Sequence, residues 1–242
     1  MRTDTKATRT KIIATAERLF AERGIDAVSL NEINTAAEQK NKSGLHYHFG
    51  SKAGLIQAII DKHGPGIAEA RHEMLDEMES AGQLTIPNIV RCFVLPIAEK
   101  LHDPDGGVSY IRVNAQLVGS SDYNLFNLRK EYTDPKQDRL MSTMMKVVPS
   151  LPEPLRMPRM LMVTSLLFHG LANYSRIVEG DEEAMRMENT MVFTQSLVDA
   201  VVALLSVEPS PATLEAIANN SQSTSVIGMS TLAMNTEDLG IQ

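Results

Sequence analysis

The chain has 242 residues, one cysteine (Cys92), no tryptophan and a formal net charge of −7. That length buries a substantial core, in one large domain or in a small domain joined to a larger one, while the lone cysteine excludes an intramolecular disulfide framework and points to a reducing compartment. Residues 1–62 hold 10 Lys and Arg against 7 Asp and Glu, a balance of +3, and residues 63–242 hold 13 against 23, a balance of −10, so a basic head on an acidic body suggests that only the head meets a polyanion.

The opening MRTDTKATRT is polar and basic without an apolar centre, unlike a signal peptide. No uninterrupted apolar run reaches the roughly 18 residues of a membrane span. A cytoplasmic protein with no membrane partner is the expectation. In TRTKIIATAERLFAERG, Ile13, Ala16, Leu19 and Phe20 recur at helical spacing and form one apolar stripe. Gly24 ends that helix, because glycine tolerates positive φ. Ser29-Leu-Asn-Glu32 then reads as a capping box that opens a short second helix, burying Leu30, Ile33 and Ala37. The polar string from Gln39 to Asn41 turns the chain into a third short helix, with Leu45 and Phe49 on one face and Gly50-Ser51 closing it. Three short helices with a tight turn between the last two make a helix-turn-helix.

The stretch KSGLHYHFGSKAGL, residues 42–55, packs two histidines, a tyrosine and two lysines among glycines. Histidines two apart on a helix lie about 200° apart around its axis, so His46 and His48 do not face one metal ion. A catalytic pair lacks an acidic orienting group nearby. On a recognition helix, by contrast, Lys42, Ser43 and Gly44 sit nearest the base edges of the major groove, and His46, Tyr47 and Lys52 reach phosphates. Gly44 allows close backbone approach, and the partial positive charge of the helix ends attracts phosphate.

Residues 8–60 resemble the DNA-binding domain of the tetracycline-repressor (TetR) family of bacterial transcriptional regulators. The match runs in order through LFAERG, the Ser29 cap, Ala36-Ala37, the aromatic and histidine run ending in Phe49, and Gly50-Ser51-Lys52 before Leu55. The resemblance implies a homodimer whose C-terminal domain binds a small molecule and thereby releases operator DNA. It implies base-reading roles for Asn31, Lys42, Ser43 and Gly44, with Asn41 in the same DNA-binding set, and phosphate contacts for Ser29, His46, Tyr47 and Lys52. In two places the chain departs from the family: Glu38 stands where the family usually has a turn glycine, and the turn from Gln39 to Lys42 is one residue longer.

Beyond the head, His63-Gly-Pro-Gly66 is expected to kink the chain, and helices are expected at 86–101, 107–120, 123–148 with a break near Asp134-Pro135, 158–178 and 184–206. The fold expected is all-α: a three-helix DNA-binding domain over 1–62, a larger helical effector-binding and dimerisation domain over 63–207, and a flexible tail over 208–242 rich in Ser, Thr, Asn and Gln. Nine of the fourteen methionines fall between Met141 and Met191. Flexible thioethers suit an adaptable pocket, so an apolar effector is expected among Asn114, Met141, Met144, Met160, His169, Asn173 and Tyr174. Gln116 and Arg112 are further polar groups with apolar neighbours, and Cys92 reads as a buried apolar residue. Leu166, Leu167, Leu171, Val192, Leu197, Val201 and Leu204 supply a broad apolar dimer surface on the last two long helices.

No glycine-rich cradle, zinc spacing or nucleophile elbow occurs, so neither an enzyme nor a cofactor is expected. The rival reading is a helical adaptor whose body binds a protein partner, since apolar helices also suit protein grooves.

Overall fold

A computed structural model describes residues 2–39, 44–123, 135–148, 151–181, 183 and 186–220. Its regular elements are helices: α1 Arg2–Arg23, α2 Leu30–Ala36, α3 Gly44–Phe49, α4 Lys52–Ser80, α5 Ile86–Ala98, α6 Gly107–Val118, α7 Pro135–Val147, α8 Glu153–Ile177, α9 Met187–Ser206 and α10 Pro211–Asn220, with a 3-10 turn at Glu99–His102. The all-α expectation holds, and most predicted boundaries lie within a few residues of these. α8 starts five residues earlier than predicted and carries Pro158 in its second turn. Residues 124–134, which hold the start of a predicted helix, lie outside the described residues.

The predicted stripe of α1 is buried, with Ile12 added to it. Gly24 follows at φ 96 and its amide donates to Phe20 O, closing the helix as glycine allows. The kink expected at His63-Gly-Pro-Gly66 does not interrupt the helix: α4 runs through Pro65 for 29 residues and crosses the expected head-body boundary. Ile59, Ile60, His63, Ile67 and Ala68 are all buried around the proline, and that packing outweighs a helix-interior penalty of about 3 kcal/mol. Head and body share one continuous apolar cluster, from Phe20 and Ile33 through Ile56 to Ile97, Ile111 and Phe168.

α6 packs on α8 and α1, and α9 packs on α5 and α8. One correction follows for the last two long helices. Leu167, Leu171, Leu197 and Val201 belong to the chain's own core, with Leu197 only 5% exposed, whereas Met157, Leu161, Met162, Leu166, Met191 and Val192 remain exposed. Helical periodicity identifies an apolar face but not whether the same chain or another covers it. The stretch Asn189–Ser206 is long and apolar enough to cross a membrane, with a mean hydropathy of 1.3, yet it is 33% buried inside this bundle.

The chain divides into two units after Ser206. Part of the tail expected to be flexible is the ten-residue helix α10, capped by Ser210, whose hydroxyl accepts from Thr213 N at 3.3 Å. Residues 221–242 lie outside the described residues.

Candidate nucleic-acid interface

The head is built by caps. Ser29 stands before α2 in extended backbone; its hydroxyl accepts from Glu32 N at 3.2 Å, and its own N–H donates to Glu32 Oε2 at 2.8 Å, completing the predicted capping box. Arg23 donates to the other Glu32 oxygen at 2.8 Å. The backbone hydrogen bond from Ser29, then the Arg23 guanidinium, hold the Glu32 carboxyl down at about 2.

α2 ends in a Schellman turn: Glu38 N donates to Thr35 O at 2.9 Å and Gln39 N to Asn34 O at 3.0 Å. Glu38 occupies its left-handed position at φ 55, a conformation that glycine adopts without a Cβ penalty. The residue that departs from the family pattern therefore keeps the backbone geometry a turn glycine would have. Lys11 of α1 bonds the Glu38 carboxylate, and that hydrogen bond lowers its pKa.

Asn41, Lys42 and Ser43 lie outside the described residues. Gly44 opens α3, which buries Leu45 and Phe49 as predicted and turns His46 and Tyr47 outward, Tyr47 being 84% exposed. His48 is half-buried between the Tyr47 and Phe49 rings. Gly50 N donates to His46 O at 2.8 Å, and Ser51 Oγ accepts from Gly54 N at 3.1 Å to cap α4. Gly54 is sterically required: a Cβ there would come within 2.0 Å of Phe49 O. Asn31 and Ser29 are exposed on the same head. Lys52, expected to reach a phosphate, is half-buried and its ammonium donates to Ile25 O at 2.9 Å. Its flexible stem folds back onto a loop carbonyl, and two of its three N–H groups stay uncommitted by that bond.

Behind this surface lies a polar joint that sequence reasoning missed. Gln116 of α6 accepts from Ile25 N at 2.7 Å and donates to Phe20 O at 2.9 Å, gripping both sides of the turn after α1. Glu17, 1% exposed, accepts from Lys62 at 2.9 Å and from His63 Nε2 at 2.6 Å. Lys62 also reaches Asp105, His63 packs on Tyr110 at 4.6 Å, and Asp103 bonds Lys100 at 2.8 Å. Burial pulls the Lys62 pKa down, but hydrogen bonds from its ammonium to Asp105 and Glu17 outweigh it and the net direction is up. The Lys100 hydrogen bond holds Asp103 below its ordinary value. The available signal is Glu17 itself, a carboxylate four residues after Ile13 on the apolar stripe of α1.

The residues predicted for the effector are not gathered into one chamber. Asn114 is fully buried on α6; its amide donates to Tyr110 O at 2.8 Å and its Oδ1 has no partner among the described residues. Met144 and Met160 line a cavity of about 10 Å³ with Met145, Val148, Leu151, Arg156 and Leu205, room for no more than one water. Met141, His169 and Asn173 are exposed, and Tyr174 stacks on Phe193 at 4.2 Å. His169 and Asn173 share helical register with Met162 and Leu166, so they belong to the outward stripe of α8. Arg112 is committed to α8 and the turn after it, donating to Ser175 Oγ at 3.0 Å and Glu179 Oε2 at 3.0 Å. Cys92 is buried as expected, and burial pushes its thiol up to about 11. Among the described residues no group of His, Cys, Asp and Glu is placed to hold a metal.

Residues 12–59 match the family model described as bacterial regulatory proteins, tetR family, and residues 91–204 match the tetracyclin repressor-like C-terminal domain. The chain is 29% identical over 98 residues to the probable HTH-type transcriptional regulator ArpR of Pseudomonas putida, covering 40% of this chain and 44% of that protein. It is 31% identical over 80 residues to the HTH-type transcriptional regulator TtgR, also of Pseudomonas putida, covering 33% and 34%. The matched regions thus span less than half the length of these curated relatives. A TetR-family regulator of known structure from a Rhodococcus species aligns over 82% of this chain and 98% of its own at 16% identity, with a TM-score of 0.46. A second, from Pectobacterium atrosepticum, aligns over 87% and 100% at 19% identity and 0.37; neither score adds weight to the sequence matches. The family and these relatives are regulators rather than enzymes. With one family model on the helix-turn-helix head and another on the helical body, the chain belongs to the TetR family of bacterial transcriptional regulators.

Proposed function

We propose that the protein is a cytoplasmic repressor that binds a palindromic operator as a homodimer and leaves it when an apolar small molecule binds the body. The observation that carries the DNA reading is α3, which buries Leu45 and Phe49 and presents His46 and Tyr47 to the outside, as a major-groove helix must. Asn31, Lys42, Ser43 and Gly44 are assigned to base edges, Asn41 to the same DNA-binding set, and Ser29, His46, Tyr47 and one free side of the Lys52 ammonium to phosphates.

The dimer reading rests on the uncovered apolar stripe of α8 and α9, built from Leu161, Met162, Leu166, Met191 and Val192. A two-fold pairing of these helices would set two heads on a two-fold site. The effector reading rests on the fully buried, unpartnered Asn114 oxygen; the water-sized cavity beside Met144 and Met160 is separate from it and would have to widen to take an apolar molecule. An apolar molecule with one N–H or O–H donor would satisfy that oxygen. Gln116, one helical half-turn further along α6, would carry a shift of α6 to the head.

The test is selection of a duplex from a random pool with the intact protein, followed by titration at rising salt and then with candidate apolar compounds. A two-fold symmetric consensus, steep loss of affinity with salt and release by an apolar compound are expected. An asymmetric consensus or salt-independent binding would overturn the reading.

A further inference from the structure

The cations of α1 whose side chains are described fall into two sets. Lys11 bonds Glu38, Arg18 bonds Glu22 at 3.1 Å and Arg23 bonds Glu32 at 2.8 Å, so these three are neutralised within the chain. Lys6 and Arg9 are exposed and have no carboxylate partner among the described residues. The Arg9 guanidinium lies 5.3 Å from the centroid of the Phe49 ring, which ties it to α3. Lys6 precedes Arg9 by three positions and Ile13 follows by four, so all three share one side of α1. Ile13 is buried; from there the line passes Arg9 beside α3 and leaves the protein at Lys6.

The far end of α1 fixes the direction of this line. Phe20 O is held by Gln116 of the body and Glu17 by Lys62. Lys6 stands fourteen positions before Phe20, about 21 Å along the helix at 1.5 Å per residue, so it projects away from the body. The tetR-family model that matches the head begins at residue 12, leaving these first turns outside it.

We propose that Lys6 and Arg9 form an additional phosphate-binding strip that extends the DNA footprint of each head beyond the helix-turn-helix. Two exposed cations without carboxylate partners among the described residues, one of them seated on the recognition helix, suit a polyanion running past α3. An ammonium and a guanidinium aimed at phosphate oxygens add affinity without sequence preference. Arg9 has a second role, since its stacking on Phe49 aligns the strip with α3. The proposal rests on the DNA-binding reading of the head.

The experiment uses the full chain and a mixed-sequence DNA duplex, with binding followed by fluorescence anisotropy over a range of salt concentrations. The Lys6→Gln, Arg9→Gln double variant should show a slope of log K against log salt shallower by about 1.8 per head, or about 0.9 for each cation removed. Arg18→Gln, on the same helix but paired with Glu22, should keep the wild-type slope. Arg9→Lys should restore most of the phosphate contribution. If the double variant loses helical signal through loss of the Phe49 contact, Lys6→Gln alone carries the test, with a change of about 0.9. A folded Lys6→Gln protein with the wild-type slope overturns the strip, while wild-type protein that fails to bind duplex DNA at low salt overturns the DNA-binding reading itself.

Discussion

The chain has two regions of opposite character, one closed within the chain and one open. At the joint between head and body, Glu17, Lys62, His63, Asp105 and Gln116 are joined by hydrogen bonds and ion pairs across α1, α4, α6 and the turn before α6. On the outward face of α8 and α9, Met162, Leu166, Met191 and Val192 remain in solvent. Polar groups removed from water need particular partners at particular angles, so the joint fixes one orientation of the head. The apolar face has no such requirement and gains by being covered. One region defines where the recognition helix points, and the other leaves room for a second copy.

Two substitutions on α9 separate core from open face and carry the largest expected effect. Leu197→Asp puts an unpaired carboxylate at a buried position and should abolish cooperative thermal unfolding. Val192→Glu, at a position 69% exposed, should leave the helical signal intact while sedimentation shows a shift to monomer. If Val192→Glu stays dimeric, the open face is covered by something other than a second copy.

The joint is tested next. Glu17→Ala leaves the Lys62 ammonium and the His63 imidazole without their shared acceptor, a loss of about 3–5 kcal/mol by the measure of broken buried pairs. Thermal unfolding followed by circular dichroism should show a fall on the order of 10 °C. A near-normal melting temperature would mean that head and body are held by apolar packing alone, and the contrast between the two regions would weaken.

How much of this is legible in the sequence depends on what kind of contact each residue makes. Local signals translate directly: the Ser29-Glu32 spacing points to the capping box, and Leu45 and Phe49 to the buried side of α3, because both depend on neighbours within one turn. Long-range partners do not. Leu197 and Val201 have the same periodicity whether α5 or another subunit covers them. His169 has apolar sequence neighbours, which point to an effector site, yet it shares the outward register of Leu166. Gln116 reads as polar among apolar residues, but its partners Phe20 O and Ile25 N are about ninety positions away. Pro65 signals a break that buried side chains on both flanks override.

Gln116→Ala should have a smaller effect than Glu17→Ala. It removes one acceptor and one donor from backbone groups at the turn after α1, costing about 1–3 kcal/mol if water does not replace them. The sharper readout is hydrogen exchange at Ile25, whose amide should lose protection while α8 amides keep theirs. Retained protection at Ile25 would show that the turn holds its own geometry without α6.

The smallest effect is expected within the joint's own helix, at the segment that sequence alone marks as a kink. Gly64 and Gly66 flank Pro65 inside α4, and beyond its chain neighbours and the helix's own backbone a Cβ at either position would meet nothing within 4 Å. Alanine is favoured over glycine in a helix interior by about 0.5–1 kcal/mol at Gly66, chiefly because the unfolded chain has less freedom to lose, whereas at Gly64 the ring of Pro65 crowds the Cβ of a preceding helical residue and opposes that gain. Pro65 still lacks an N–H for the Asp61 carbonyl in the double variant, so one weak rung remains while its flanks stiffen. Gly64→Ala with Gly66→Ala should therefore keep the melting temperature within a few degrees of wild type, the gain at Gly66 opposed by the crowding at Gly64, and leave effector-free DNA binding close to wild type. The segment lies immediately after Lys62 and His63, so a pivot there would move the head relative to the body through the residues that hold Glu17. Stiffening it should reduce the effect of an effector on DNA affinity, measured as the ratio of operator affinities with and without the compound. A folded double variant with an unchanged ratio would move the pivot from α4 to the contact that Gln116 makes between α6 and the turn after α1.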